Sequence, residues 1–334
     1  MADQFIEKSF DFTSQGLTLQ GTITLPRNHE KPPVFLLLPG SGPVDRNENA
    51  TGFFRKLITN NFQTIAHYLA AQGFASYRFD KRSTHKSMKS CGFNILLEDA
   101  KNALKALQQF DGINRDELYL LGHSEGGYIG TLIANKQKNV KGFIVIASSV
   151  TPLDETVVKQ ISHISEVKGS SKKMDKLSKI LSQVFSLMRT HDSWEEIDPS
   201  IIKSEMKKLS FIIQILPANT VKNMMKKQFQ PHWFMESFQY DFEQEAKHIT
   251  CPVLLIAGEK DYQVPVEDVE YMANVISSLG NEDVTFVEMS DLNHLLRPNP
   301  GEKSPKAQLQ SLKESDIDQR VLDLIGNWLH DHYF

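Results

Sequence analysis

The sequence predicts an α/β fold: a mostly parallel central sheet with flanking helices and a helical segment inserted between two of its strands. Three observations lead there. Short, unbroken apolar runs recur at 34–38, 74–79, 118–121, 143–147, 253–257 and 284–287. Runs of this length suit strands buried on both faces, as in a parallel sheet. Amphipathic helical segments separate them, and strand–helix–strand repetition implies right-handed crossovers. Finally, the alternation stops over 151–248, where no strand pattern is found.

The first residues read as antiparallel strands. Residues 10–13 alternate and Ser14-Gln15-Gly16 turns. Residues 17–25 then alternate again, with Leu17, Leu19, Gly21, Ile23 and Leu25 on one face before Pro26. The next helix carries Phe62, Ile65, Ala66, Leu69 and Ala70 on one side and Gly73 as its stop. Another has Ile95, Leu96, Asp99, Ala100, Ala103, Leu104 and Leu107 as its stripe. Within 151–248, Met174, Leu177, Ile180, Leu181, Val184 and Leu187 form one amphipathic helix, and 201–216 a second. A stretch rich in Met, Phe and Trp follows, from Met224 to Phe238. This block is expected to be a helical cap, leaving 1–150 and 249–334 as the sheet domain. Its apolar residues are expected to pack on the sheet domain and to serve as pocket wall. Lys168, Lys172, Lys173, Lys176 and Lys179 read as a solvated helix face.

Composition narrows the function. Of 334 residues, 40 % are hydrophobic and 23 % charged, with a net charge of −4. No basic excess exists to neutralise phosphates, so nucleic acid is not expected as a partner. The 2 cysteines, Cys91 and Cys251, exclude a disulfide scaffold and fit a reducing compartment. No C-x-x-C, H-E-x-x-H, P-loop or post-strand G-x-G-x-x-G occurs, so neither a metal nor another cofactor is expected. His330-Asp331-His332 lies close to the C-terminus and is expected to fray. The N-terminus lacks a basic then apolar leader, and the apolar runs fall far short of the roughly 18–20 residues of a membrane helix. The expectation is a soluble, cytoplasmic protein without stable membrane insertion, monomeric or homodimeric.

The sharpest chemical signal is Leu118-Tyr119-Leu120-Leu121-Gly122-His123-Ser124-Glu125-Gly126-Gly127. An apolar strand runs into G-x-S-x-G and a helix-compatible segment follows, the context that gives this pattern meaning. The turn is too tight for side chains at its flanks, so Gly122 and Gly126 sit there and Ser124 is held out at the sheet edge. The Glu125 amide, at the new helix's N-terminus, is placed to donate to a developing oxyanion. Serine needs a base, and the chain order in this context is Ser, acid, His. Asp261 follows the strand 253–257, in competition with Glu259 and Asp268; His294 follows the strand 284–287. Of 11 histidines, His123 is expected to point back under the turn as a packing residue, and His85 to lie on the surface. The second oxyanion donor is expected in Pro39-Gly40-Ser41-Gly42, at the Ser41 amide with Gly42 as the alternative. Asp45 and Arg46 would either position substrate or pair with each other and so stabilise the loop, and Arg82 has the same two options.

These residues resemble the α/β-hydrolase superfamily over nearly the whole chain. Gly122 to Gly127 looks like its nucleophile elbow, Gly258-Glu259-Lys260-Asp261 its acid loop and Leu292-Asn293-His294 its histidine loop. Pro39-Gly40-Ser41-Gly42-Pro43-Val44-Asp45-Arg46-Asn47 is similar to the G-S-G-P-x-D-R segment of bacterial esterases related to serine aminopeptidase-like hydrolases. Asp80-Lys81-Arg82-Ser83 resembles their D-K-R-G segment. Pro39 stands where that family has His, and Ser83 where it has Gly. Both departures concern loop shape and bear on substrate choice rather than on the triad. The expected function is a carboxylesterase-like serine hydrolase acting on a small to medium acyl ester. Ser124, Asp261 and His294 would form its triad, the Ser41 and Glu125 amides its oxyanion hole, and Gly42, Arg46 and Arg82 its substrate contacts. A thioesterase or peptidase on the same triad, and a non-catalytic binding protein of the same fold, are the rival expectations.

Overall fold

The computed structural model describes residues 4–52, 55–84, 91–137, 139–167 and 172–333. Its strands are β1 (Phe5–Ser9), β2 (Phe12–Ser14), β3 (Leu17–Leu19), β4 (Gly21–Pro26), β5 (Val34–Leu38), β6 (Ala50–Gly52), β7 (Arg55–Leu57), β8 (Ala75–Phe79), β9 (Leu118–His123), β10 (Val140–Ile146), β11 (Val253–Gly258) and β12 (Val284–Met289). An 8-stranded sheet runs β1-β4-β8-β5-β9-β10-β11-β12. From β8 to β12 all neighbours are parallel, while β1 and β4 add an antiparallel edge. β2 pairs with β3, and β6 with β7, as separate hairpins.

The apolar runs are unbroken because both sheet faces are covered. Phe35, Leu37, Tyr119, Leu121, Ile144, Ile146, Leu254 and Ile256 line one face. They meet Phe62, Ile65 and Leu69 of α1 (Asn61–Ala71) and, from the C-terminal helix, Val321, Leu322, Ile325 and Leu329. On the way come α2 (Phe93–Leu107) and α3 (Glu125–Ala134), the latter packed on β5, β9 and β10. Chain order and spatial order part company around β5. The path goes from β5 out to β8, then back past β5 to β9. Such a reversal opens a crevice at the carboxyl ends of the adjacent strands, here β5 and β9.

The chain divides into two compact units: Met1–Lys89, Leu97–Val150 and Phe242–Phe334 in the first, Ser90–Leu96 and Thr151–Asp241 in the second. The second contains α4 (Leu153–Val167), α5 (Lys172–Arg189), α6 (Pro199–Met206), α7 (Phe211–Ile215), α8 (Ala218–Phe229) and α9 (Pro231–Ser237), with no strand among its described residues. Lys172, Lys173, Lys176 and Lys179 are exposed on α5; Lys168 lies outside the described residues. The single helix expected over 201–216 is two, α6 and α7, because Ser210 adopts an extended backbone and caps Ile212 N–H at 3.3 Å. Inside this unit the Phe234 and Phe185 rings meet at 4.7 Å, tilted by 52°.

The insertion was expected to end at 248, yet α10 (Phe242–Lys247) belongs to the first unit. Its buried Phe242 meets Tyr128 at 4.8 Å, and Tyr271 donates to Glu243 at 2.9 Å from α11 (Val266–Ser277). After β12 come α12 (Pro305–Glu314) and α13 (Gln319–Tyr333). His330 to His332 belong to α13 rather than to a frayed end. His332 Nδ1 bonds the Trp328 carbonyl at 2.7 Å and Nε2 meets Asp283 at 2.8 Å. Among the described residues no helix is long and apolar enough to cross a membrane.

Asp99 occupies the apolar stripe of α2 and is buried there by an ion pair. Arg82 Nε donates to it at 2.6 Å, and a second guanidinium nitrogen completes the fork. Asp99→Ala leaves the buried Arg82 charge without its carboxylate and should lower the unfolding free energy by about 3–5 kcal/mol. Removing both charges in Arg82→Met/Asp99→Leu should restore stability to within roughly 1 kcal/mol of wild type. Urea unfolding of the three proteins reads this directly.

Candidate active site

The turn between β9 and α3 is defined by how closely backbone approaches backbone. A Cβ on Gly126 would stand 1.9 Å from the Leu38 carbonyl oxygen, and one on Gly122 2.5 Å from that of Gly126. Only glycine fits at either position. Between them Ser124 takes φ 52° and ψ −120°, a backbone that L-residues rarely adopt. The turn is pinned on both sides, since Ser124 N–H donates to the Ile146 carbonyl and Gly127 N–H to the Ser124 carbonyl, each at 2.9 Å. The serine hydroxyl is thereby carried to the carboxyl edge of the sheet.

Asp261 and His294 reach the same edge from β11 and β12. Asp261 is 1 % exposed. Its Oδ1 accepts the Gln263 and Val264 N–H groups at 2.7 and 3.0 Å, which aims Oδ2 at His294 Nδ1, 2.7 Å away. Glu259 turns instead to Lys260, at 3.0 Å, and the Asp291 N–H, at 3.2 Å; Asp268 lies in the first turn of α11. The histidine loop is tied to the start of α1 by buried Arg297. This residue donates to Asn61 Oδ1 and the Thr59 carbonyl, both at 2.6 Å, and to the Leu295 carbonyl at 2.8 Å. Burial holds the Arg297 pKa below its ordinary value.

Ser124 and His294 border one cavity of about 340 Å³, which Gly40, Ser41 and His123 also line and to which Val44, Leu57, Leu295 and Leu309 give an apolar wall. Gly42 is not on that border; it turns the chain at φ 86°. Nor do Arg46 and Arg82 reach it, contrary to the substrate contacts expected of them. Arg46 forks onto Asp80 at 2.8–2.9 Å, rather than onto Asp45, and Arg82 is held by Asp99. Asp45 closes its own loop by accepting the Asn47 and Asn49 N–H groups at 2.9 Å. His85 lies outside the described residues.

Glu48 escaped the sequence reading. It sits in the G-S-G-P-V-D-R-N-E loop among other charged residues, and its one local signature, φ 64°, is visible only in the backbone. Buried Glu48 accepts the Gly40 N–H at 3.0 Å and meets His123 Nδ1 at 2.9 Å. The other His123 nitrogen meets the His294 carbonyl at 3.0 Å. His123 does lie under the elbow, as a polar bridge between two loops. A carbonyl oxygen only accepts, so Nε2 carries a proton. Burial opposes charge on both partners. The facing charges and the hydrogen bonds to Gly40 N–H, between the two side chains and to the His294 carbonyl together outweigh it, holding the Glu48 pKa below its usual value and the His123 pKa above. Both directions favour the charge-separated pair, carboxylate facing imidazolium.

With this geometry in view, the comparisons with known proteins are consistent. The family model described as Hydrolase_4, serine aminopeptidase, S33, matches residues 58–299. This chain belongs to that family of α/β-hydrolases. It is similar to esterase EstD of Thermotoga maritima, with 29 % identity over 98 % of this chain and 68 % of the relative. Among solved structures, an esterase of Pyrococcus furiosus superposes with TM-score 0.56 at 14 % identity, over 99 % of this chain and 92 % of that one. The acylaminoacyl peptidase of Pyrococcus horikoshii superposes with TM-score 0.55 at 13 % identity, over 99 % of this chain and 42 % of that one. At such identities the likeness is one of fold.

The two pKa directions at Glu48 and His123 set a pH window. A carboxyl whose pKa falls on folding stabilises above its unfolded value, 4.5, and loses that contribution as pH drops through the folded value. An imidazole whose pKa rises stabilises fully below its unfolded value, 6.5, and loses the contribution as pH climbs through the folded value. Both contributions are complete between pH 4.5 and 6.5. Wild type and Glu48→Gln should differ most in urea unfolding within that interval, and the gap should close on the alkaline side. A gap that ignores pH would contradict the charged pair.

Proposed function

We propose that the protein is a serine hydrolase that cleaves small to medium acyl esters through an acyl-enzyme intermediate. The observation that carries the reading is the 2.7 Å Asp261–His294 contact on the cavity that Ser124 borders. In this mechanism Ser124 Oγ attacks the acyl carbon as His294 Nε2 takes its proton. The carbonyl electron pair moves to oxygen, where the Ser41 and Glu125 N–H groups receive it. The intermediate then collapses, the ester C–O bond breaks as His294 gives its proton to the departing oxygen, and water repeats the sequence on the acyl-enzyme to release the acid and free Ser124. Asp261 fixes the imidazole's orientation and offsets its charge. All of these steps use side chains and backbone of the chain itself.

Ester substrates are favoured by the named esterase among the relatives, and the cavity's volume and apolar wall suit a short acyl or alkyl group. The helical insertion leaves the chain directly after β10, two strand ends along from Ser41. We assign it the part of a cap that selects the substrate.

Intact-mass analysis after fluorophosphonate treatment should show one adduct on wild type and none on Ser124→Ala. On a p-nitrophenyl ester, Ser124→Ala should lose about a million-fold in kcat. Asp261→Asn should lose roughly 10⁴-fold, because the wrong imidazole tautomer is then held. Folded wild type that takes no label would overturn the reading in favour of a binding protein of this fold. A panel of esters, thioesters and amides would reassign the substrate if a bond other than the ester turned over fastest.

A further inference from the structure

One peptide unit at the cavity is gripped by buried charged side chains. Lys81 Nζ donates to the Gly40 carbonyl at 2.9 Å and also pairs with the Glu125 carboxylate. Glu48 holds the Gly40 N–H at 3.0 Å. Lys81, Glu125 and Glu48 are all at least nine-tenths buried, at 5 %, 3 % and 6 % exposure. The Gly40 carbonyl shares its peptide plane with the Ser41 N–H, and in a trans peptide these two groups point in opposite directions. Holding the carbonyl on Lys81 therefore turns the Ser41 N–H away from Lys81. Among the described residues no protein acceptor takes that N–H. Ser41 borders the cavity, and Gly40 lies against the serine: a Cβ on Gly40 would stand 3.4 Å from Ser124 Cβ.

We propose that Lys81 is a positioning residue of the oxyanion hole, aiming the Ser41 N–H through the Gly40 carbonyl and anchoring Glu125, the other donor, through its carboxylate. This rests on the serine-hydrolase reading above. Lys81 touches neither substrate nor Ser124 in this role, and no proton moves to or from it. When the acyl carbonyl becomes tetrahedral, its electron pair localises on oxygen, and two N–H groups must already point there. Preorganised donors avoid reorganisation at that moment. A charged donor on the Gly40 carbonyl also polarises the whole peptide unit and strengthens its N–H as a donor. A buried ion pair contributes little net stability, and apolar side chains would pack these loops as well. Apolar side chains would not orient a peptide dipole.

The test uses Lys81→Met/Glu125→Gln, which removes both charges and strands neither in the core. With a p-nitrophenyl ester, kcat should fall roughly 100-fold while KM stays within about threefold. Affinity for a trifluoromethyl ketone, whose serine adduct carries an oxyanion, should fall by the same factor. A merely structural role would leave both readouts near wild type in the folded variant, and that result overturns the proposal. A second measurement needs no variant. In wild type labelled with ¹⁵N-serine, the Ser41 amide proton should move downfield when the trifluoromethyl ketone adduct forms. An unmoved Ser41 resonance overturns the proposal even where the double variant fails to fold. Fluorophosphonate labelling at Ser124 separates the two levels of inference. Labelled wild type with an unmoved Ser41 removes only the Lys81 role, whereas unlabelled wild type removes the hydrolase reading with it.

Discussion

Everything at the sheet's carboxyl edge depends on one close approach, that of the first turn of α3 to the ends of β5 and β9. Gly126 nearly touches the Leu38 carbonyl, and Gly122 lies under Gly126, so the helix starts where side chains would have kept it away. The positive φ of Ser124 follows from that approach. Strain of this kind persists only where the surroundings over-determine it, and here they do. The Ile146 carbonyl holds the serine N–H, and the parallel pairing of β9 with β5 and β10 fixes the strand that leads into the turn. The position of the hydroxyl on the cavity border is a consequence of sheet packing rather than of loop freedom.

Charged side chains then fix the loops that packing alone leaves loose. Three consecutive residues after β8 each take a different partner: Asp80 receives Arg46, Lys81 binds Gly40 and Glu125, and Arg82 forks onto Asp99. Glu48 and His123 join the loop after β5 to the loop after β12. Pairs like these contribute little to net stability once desolvation is counted. Their effect is on which loop conformation is populated, because any other arrangement would strand a charge in the interior. Where several loops must agree on one geometry, directional partners are the means available to a backbone that cannot interdigitate.

The same contrast explains what the sequence made legible. The parallel strands were visible because burial on both faces writes unbroken apolar runs, and the elbow because its glycines are local. Partners distant along the chain were not. Arg46 read as a partner of its neighbour Asp45, but the carboxylate it forks onto is that of Asp80, brought near by the parallel pairing of β5 with β8. Asp99 was counted in an apolar stripe, and its burial makes sense only with Arg82 in place. β1, β6 and β7 were missed because they are short or half-exposed and carry little apolar periodicity. Ser210 held a readable capping signal that would have split the helix over 201–216.

Two imidazoles lie close together at the elbow, their ring centroids 5.0 Å apart, and the hydrogen bonds assign them different work. His123 has both nitrogens committed, one to Glu48 and one to a carbonyl oxygen, and so offers no open nitrogen to receive a proton. His294 has Nδ1 committed to Asp261, and among the described residues no protein group takes its Nε2. A base needs a free lone pair on one nitrogen and an oriented proton on the other. Adjacency to Ser124 in the chain would have favoured His123; the availability of a lone pair favours His294. The carboxylates divide in the same way. Glu48 charges its histidine and spends that charge on joining loops, whereas Asp261, held by two backbone N–H groups, leaves its histidine one open nitrogen on the side of the cavity that Ser124 borders.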